Sequence, residues 1–387
     1  MFHLLLAIIY ISFISLGLPD ALLGAAWPKM YLDLNTNVSY AGIIFMIISC
    51  GTVLSSLFSD RMTRLLGTGK LTAISVGMTA IAMFGFATSD TFIMLCLWAF
   101  PYGLGAGSVD ASLNNYVALH YAAHHMSWLH CMWGVGATVG PYVMGYVLSQ
   151  GWHWTSGYRT IAIFQLGLTL VLFLTLPLWK ERKTENIQSK DKPLPLREVI
   201  RIPGVKEVMI TFFCYCALEQ TASLWASSYL VLHKGIDSET AAFFASLFFI
   251  GITVGRAVNG FLTLKLNDIQ LIRLGQAIIA FGIVVMLLPF GDIMALIGLI
   301  LIGLGCAPIY PCVIHSTPIN FGVRKSQAII GVQMASAYVG NILMPPLFGL
   351  IAENISIKLF PYYMLVILVL MFVMHKKMLE KCAAGEK

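Results

Sequence analysis

The sequence predicts an all-α polytopic membrane protein with twelve transmembrane helices in two pseudo-symmetric six-helix bundles. Three observations carry that expectation. Of 387 residues, 58% are hydrophobic and only 11% charged, whereas a soluble domain carries about 25% charge. The apolar residues fall in long runs. The second half of the chain also echoes the first at a shift of 200 residues. Gly51 aligns with Gly251, and Gly103-Leu104-Gly105 with Gly303-Leu304-Gly305. Ala137, Val139, Gly140 and Met144 align with Ala337, Val339, Gly340 and Met344. A parallel repeat in a lipid-embedded chain implies two similar bundles facing each other across a midplane cavity.

Taken in order, the apolar stretches lie near 4–27, 38–58, 70–88, 92–118, 127–148, 159–179, 208–232, 241–264, 270–290, 293–316, 327–352 and 357–375. Each approaches the roughly 20 residues that cross about 30 Å of hydrocarbon. Unbroken apolar runs of this length satisfy their backbone groups as helices rather than barrel strands. Loops as short as 88–91 and 291–292 make consecutive helices antiparallel neighbours. The one long break, 180–207, holds eight basic and five acidic residues with Pro193, Pro195 and Pro203. It divides the chain into a first bundle (1–180), a cytoplasmic linker (181–206) with a short surface helix around 196–202, and a second bundle (207–387).

Lys and Arg set the orientation. With the N-terminus in the cytoplasm, the inner segments hold 19 of the 24, and the outer loops keep only Lys29, Arg159, Lys234 and Lys358. That places both termini inside a cell inner (plasma) membrane. The net charge of +6 follows from this topology, and there is no basic groove with interleaved aromatics to take nucleic acid. A monomer in the bilayer is expected. The eight cysteines read as small apolar packing residues. His120, His124 and His125 have metal-like spacing but are expected in the loop between the fourth and fifth spans, without a further ligand. No metal or cofactor is expected.

Three acidic residues lie well inside predicted spans: Asp20, Asp110 and Glu219. A carboxylate at a helix centre costs about 2.5–3.5 kcal/mol on insertion scales, so each must face water, find a partner or hold a proton. A carboxyl that changes protonation as its surroundings open and close is a proton carrier, so these three are the candidate coupling groups. Asp20 follows Pro19 and precedes Gly24, an interruption of the kind that lines transporter cavities. Asp110 and Asn114 share a face, beside a stripe of Gly103, Gly107 and Ala111. At the 200-residue shift Asp20 pairs with Gln220 and Asp110 with Tyr310. The acids thus concentrate in one half and neutral hydrogen-bonding groups in the other.

Candidate solute contacts are Asn114, His130, Trp133, Gln220, Trp225, Tyr310, Gln333 and Asn341. Amides that donate and accept, beside indoles that stack on C–H faces, suit a neutral polyhydroxylated ligand. The same residue types also bond helices to one another.

The loop after the second span reads SSLFSDRMTRLLG. It resembles the Gly-x-x-x-Asp-Arg-x-x-Arg signature of the major facilitator superfamily, with Ser56 in place of the glycine. The resemblance implies a gating role for Asp60, Arg61 and Arg64, and Arg256 is grouped with them. Gly136-x-x-x-Gly140-Pro141-x-x-x-Gly145 resembles that family's antiporter-type motif. The acids of the first and fourth spans, together with Gly255-Arg256 and GLGCAPIYPCVI, are similar to the fucose:proton symporter-like branch, which includes sodium-dependent glucose transporter-like proteins. The resemblance covers the whole chain. It implies a secondary active transporter that imports a sugar or similar small polar solute with protons by alternating access. Sodium is the other coupling ion that the carboxylates and Asn114 could accept. A proton-driven efflux antiporter for drugs or metabolites is the alternative, favoured by the glycine-proline motif. A membrane enzyme would need a nucleophile–base set or metal ligands at one depth, and the chain has no such motif.

Overall fold

Without water to bond to, a backbone in lipid closes its hydrogen bonds locally, and the computed structural model is helical along almost its whole length. It describes residues 2–121, 123–179, 196–263 and 265–385. The linker up to residue 195 lies outside the described residues, as do the side chains of Asp60, Arg61, Arg64, His120 and His124.

The first rod is α1 (Phe2–Asp20) followed by α2 (Leu22–Asp33). Then come α3 (Tyr40–Leu66), α4 (Thr68–Ala87), α5 (Phe92–His120), α6 (Ala123–Ser149) and α7 (Trp154–Leu174). A single turn, α8 (Leu196–Val199), is what forms of the expected surface helix. The second half holds α9 (Val205–Lys234), α10 (Ser238–Leu262), α11 (Asp268–Leu287), α12 (Asp292–Cys306) continued by α13 (Ile309–Phe321), α14 (Val323–Ile351) and α15 (Phe360–Gly385). Counting α1 with α2 and α12 with α13, the described residues form twelve rods besides α8.

Several helices run past their apolar cores. The second reaches Leu66 and the fourth His120, so His120 ends α5 and His125 falls inside α6 rather than in the expected histidine loop. The sixth is displaced towards the N-terminus. His153 caps it by accepting from the Thr155 N–H at 3.5 Å, and Pro177 lies just past its end. Among the described residues, eight helical stretches are long and apolar enough to cross a membrane, and α9 is not among them. Its Thr, Ser, Gln and Glu residues lower its hydropathy, as befits a helix packed inside the assembly.

Both halves use the same four helix pairings. The contacts α1–α6, α3–α5, α4–α5 and α4–α7 recur as α9–α14, α10–α12, α11–α12 and α11–α15. Glycine explains why. A Cβ on Gly103 would stand 2.1 Å from the Ile48 carbonyl oxygen, and one on Gly303 would stand 2.0 Å from that of Phe248. Gly105 lies against Ser75 and Thr79 as Gly305 lies against Gly275 and Ile279. These partners are again 200 residues apart, so the sequence repeat is a repeat of close backbone crossings.

The first helix of each half departs from that shift. Gly136 and Gly140 meet the carbonyls of Ile14 and Leu18. In the second half Ser336 bonds the Met209 carbonyl at 2.9 Å and Gly340 meets that of Phe213. Here the partners are 195 residues apart. The counterpart of Asp20 is therefore Tyr215 rather than Gln220, which corrects the pairing expected from a constant shift.

The halves join through α6–α10, α3–α14 and α2–α9. At the end carrying the 33–40 loop they are sealed. Asn37 Nδ2 donates to Glu353 Oε1 at 2.5 Å and the Ser39 N–H donates to Oε2 at 3.3 Å. Gly24 stands against Ser223, and Gly42 against Pro346, closer than any side chain would allow.

Candidate functional site

Proline sets the geometry of the site. Pro19 lacks the N–H that would bond the Ser15 carbonyl, and Gln165 Nε2 of α7 takes that carbonyl instead at 2.9 Å. The rod breaks at Ala21, leaving Asp20 as the last residue of α1. Asp20 Oδ1 accepts from the Tyr102 hydroxyl at 2.6 Å, and Oδ2 from Trp133 Nε1 at 2.8 Å. Leu18, Ala21, Leu22 and Tyr102 around it are buried, yet Asp20 itself is exposed. A carboxylate reachable by water in such surroundings borders an internal space.

Asp110, half-buried in α5, accepts from Asn114 Nδ2 at 2.9 Å. It lies within electrostatic range of Asp20 in its own half and of Tyr310 and Tyr338 in the other. Glycine makes room for this face of α5, because Gly103 and Gly107 let α3 approach at Ile48 and Thr52.

Glu219, buried in α9, faces Arg256 of α10, with Oε1 and Nη2 3.7 Å apart. The same guanidinium reaches into the other half. Its carbon lies 5.3 Å from the ring centroid of Trp133, and Nη1 donates to the His130 carbonyl at 3.4 Å. The structure thus joins Asp20, Trp133, Arg256 and Glu219 in one chain of contacts across the interface. Trp133 also meets Phe249 edge-on, with centroids 6.3 Å apart.

The remaining candidates divide. His130 is half-buried, with Phe13 edge-on to its ring at 5.9 Å. Tyr310 packs with Phe212 and Tyr215 and turns its hydroxyl to Met334 Sδ at 3.5 Å. Gln220 and Asn341 are half-buried, and Asn341 Oδ1 meets no hydrogen-bond partner. Trp225 and Gln333 are not brought to this space. Trp225 is fully buried and donates to the Pro345 carbonyl at 2.8 Å, and Gln333 is fully buried against Thr317 at 3.1 Å. Arg256, grouped with the gating residues by sequence, sits beside Trp133 and Glu219. The structure adds Tyr102, for which the sequence carries no signal beyond its place before Gly103. No group of three His, Cys, Asp or Glu positioned to hold a metal ion occurs among the described residues.

A family model described as Major Facilitator Superfamily matches residues 9–333. Among curated relatives, "Bypass of stop codon protein 6" of Saccharomyces cerevisiae is 23% identical, covering 91% of this chain and 77% of that one. The "Glucose/mannose transporter GlcP" of Bacillus subtilis is 22% identical over 88% of this chain and 86% of its own. "Sodium-dependent glucose transporter 1" of Homo sapiens is 21% identical over 61% of this chain and 52% of its own. Among solved structures, the nucleoside transporter NupG superposes with a TM-score of 0.78 at 16% identity, covering 96% of this chain and 98% of that one.

Proposed function

This chain belongs to the Major Facilitator Superfamily and is a membrane transporter, not an enzyme, and from that premise we propose that it moves a sugar or similar small polar solute together with protons by alternating access. The observation that carries this reading is Asp20, a water-reachable carboxylate at a helix break deep in the fold. The empty carrier holds charge at the interface of its halves, which resists sealing the site from water. Taking up protons with solute removes that charge and permits the swing. One charge moving through 100 mV supplies about 2.3 kcal/mol to drive uphill accumulation. Asp20 and Asp110 are the proposed coupling groups, and Glu219, already beside Arg256, has a counter-charge within its own half.

Sugar as the solute class is supported by the relatives named for glucose and mannose transport. The residues around Asp20 agree in kind. Trp133 offers an indole face, and Asn114, His130, Gln220, Tyr310 and Asn341 offer neutral donors and acceptors. The distribution of Lys and Arg supports a plasma-membrane orientation with both termini inside, and the Glu353 seal then faces outward. The glycines that favoured an exporter are accounted for by packing, since Gly136 and Gly140 meet the α1 backbone.

A thermal-shift screen of the purified protein against monosaccharides and nucleosides identifies the solute. Uptake is then measured in vesicles under an imposed pH gradient, with and without sodium. Asp20→Asn and Asp110→Asn should each abolish pH-driven accumulation. Accumulation retained in both variants would remove the assignment.

A further inference from the structure

We propose that Trp133 is the positioning residue that passes the charge of Asp20 to Arg256 in the opposite half, so that protonating Asp20 loosens the joint between the halves. It is the side chain that touches both groups: its N–H donates to Asp20 Oδ2 at 2.8 Å while its face carries the Arg256 guanidinium at 5.3 Å. A cation over an indole is held by the electron density of the ring. An N–H donated to a carboxylate pushes density into that ring, and chains of such bonds strengthen one another. When Asp20 gains a proton the N–H faces a neutral acceptor, density withdraws from the ring, and its hold on Arg256 weakens.

Arg256 has a destination on its own side. Glu219 Oε1 stands 3.7 Å from Nη2, longer than a charge-assisted hydrogen bond, which is about 2.7–2.9 Å. A short movement of the guanidinium closes that pair and withdraws Arg256 from the Trp133 ring and the His130 carbonyl. The cation thus has two allegiances, one across the joint and one within the second half, and the Asp20 charge selects between them.

Other ionisable groups face this chain of contacts. Tyr102 bonds Asp20 from α5, and Asp110 senses it from the same helix. Tyr158 of α7 lies within electrostatic range of Tyr102, and His130 of α6 presents its carbonyl to Arg256. None of these touches both Asp20 and Arg256 as Trp133 does.

The inference rests on Asp20 being a coupling group, so its test must separate the two. Nitroxide labels on Leu32→Cys and Ile355→Cys, exposed positions at the sealed end of either half, report the inter-half distance by double electron–electron resonance. The full chain is reconstituted in lipid with its other accessible cysteines replaced by serine. In this parent the ratio of separated to closed populations should change about fivefold between about pH 8 and about pH 5, the scale of one cation–π contact. Trp133→Phe keeps a ring under Arg256 but has no N–H for Asp20, and its ratio should change less than about twofold. Arg256→Gln should be equally unresponsive, and Arg256→Lys should recover part of the response. If Trp133→Phe does not fold, the contrast between the two Arg256 variants decides. A Trp133→Phe response as large as the parent's overturns the proposal and leaves proton coupling standing. A parent that ignores pH while still accumulating solute with protons also overturns it. A parent that does neither removes the underlying assignment as well.

Discussion

Tyr102 donates its hydroxyl to Asp20 Oδ1 at 2.6 Å, from α5 to the break between α1 and α2. It is buried, so its hydroxyl acts on the site through this bond to Asp20. A hydrogen bond to a charged group contributes about 1.5–3 kcal/mol. In Tyr102→Phe the charged carboxyl loses that support, and net uptake, unlike exchange, requires that charged form to be regenerated by proton release inside. Net uptake should therefore fall about tenfold, while solute exchange across the membrane, which needs no empty return, stays within about twofold. Equal losses in the two assays would refute this division of labour.

The repeat makes a paired prediction about packing. Gly103→Ala would push a Cβ onto the Ile48 carbonyl, and Gly303→Ala would push one onto that of Phe248. Overpacking of this kind costs about 1–3 kcal/mol. The two variants should lose similar amounts in thermal unfolding of the purified protein. Gly167→Ala in α7 meets nothing within 4 Å and should gain about 0.4–1 kcal/mol. A large difference between the first two would mean that the halves are not built on one crossing geometry.

Those glycines explain how much of the fold is legible in the sequence. A close crossing admits only glycine, so Gly103 and Gly303 are fixed by contact and their spacing can be read directly. The first helix of each half escapes this, because Gly17, pressed against the Trp133 carbonyl, has no glycine counterpart in the second half, where Ala217 and Phe212 stand at the two shifts. Nothing in residues 205–234 marks the 195-residue offset that replaces Gln220 by Tyr215 as the counterpart of Asp20. The acids of the site stand out for a similar reason, since a carboxylate in an apolar run needs explanation. Amides and indoles do not. Trp225 spends its N–H on Pro345, while Trp133 spends its N–H on Asp20. Only the fold distinguishes a helix-bonding tryptophan from one beside a cavity. Arg256 enters the sequence reading only through its resemblance to the family's branch, and its partners come from α6 and α9, on both sides of the interface.

Glu219 and Arg256 should behave as a coupled pair. Removing one partner of a buried ion pair costs about 3–5 kcal/mol because the other charge is left unpaired. Here the separation is 3.7 Å and the arginine side chain is 18% exposed, so each single loss should be nearer about 1–3 kcal/mol. Glu219→Gln combined with Arg256→Gln should cost less than the sum of the singles by more than about 0.5 kcal/mol. Denaturant or thermal unfolding of the four proteins measures this. Additive losses would mean that the two charges do not sense each other.

The last prediction concerns pH at the other end of α9. Glu207 lies in its first turn, outside the span expected at 208–232, and Lys381 Nζ of α15 reaches its Oε1 at 2.6 Å. Partial burial pushes the Glu207 carboxyl up. The bond from Lys381, a backbone N–H and the charges of Lys381 and Lys206 pull it down further, so it rests below its ordinary value. A depressed folded value means that the charged form favours the folded state. The contribution is complete above the unfolded value, about 4.3 for glutamate, and is lost as pH falls through the folded value. Lys381 is half exposed, which limits the pair to about 0.2–1 kcal/mol. Glu207→Gln should therefore melt slightly below the parent at neutral pH, and the gap should close as the solution is acidified below that range. A gap that persists unchanged in acid would place its origin in packing at the α9–α15 contact, not in the charge of Glu207.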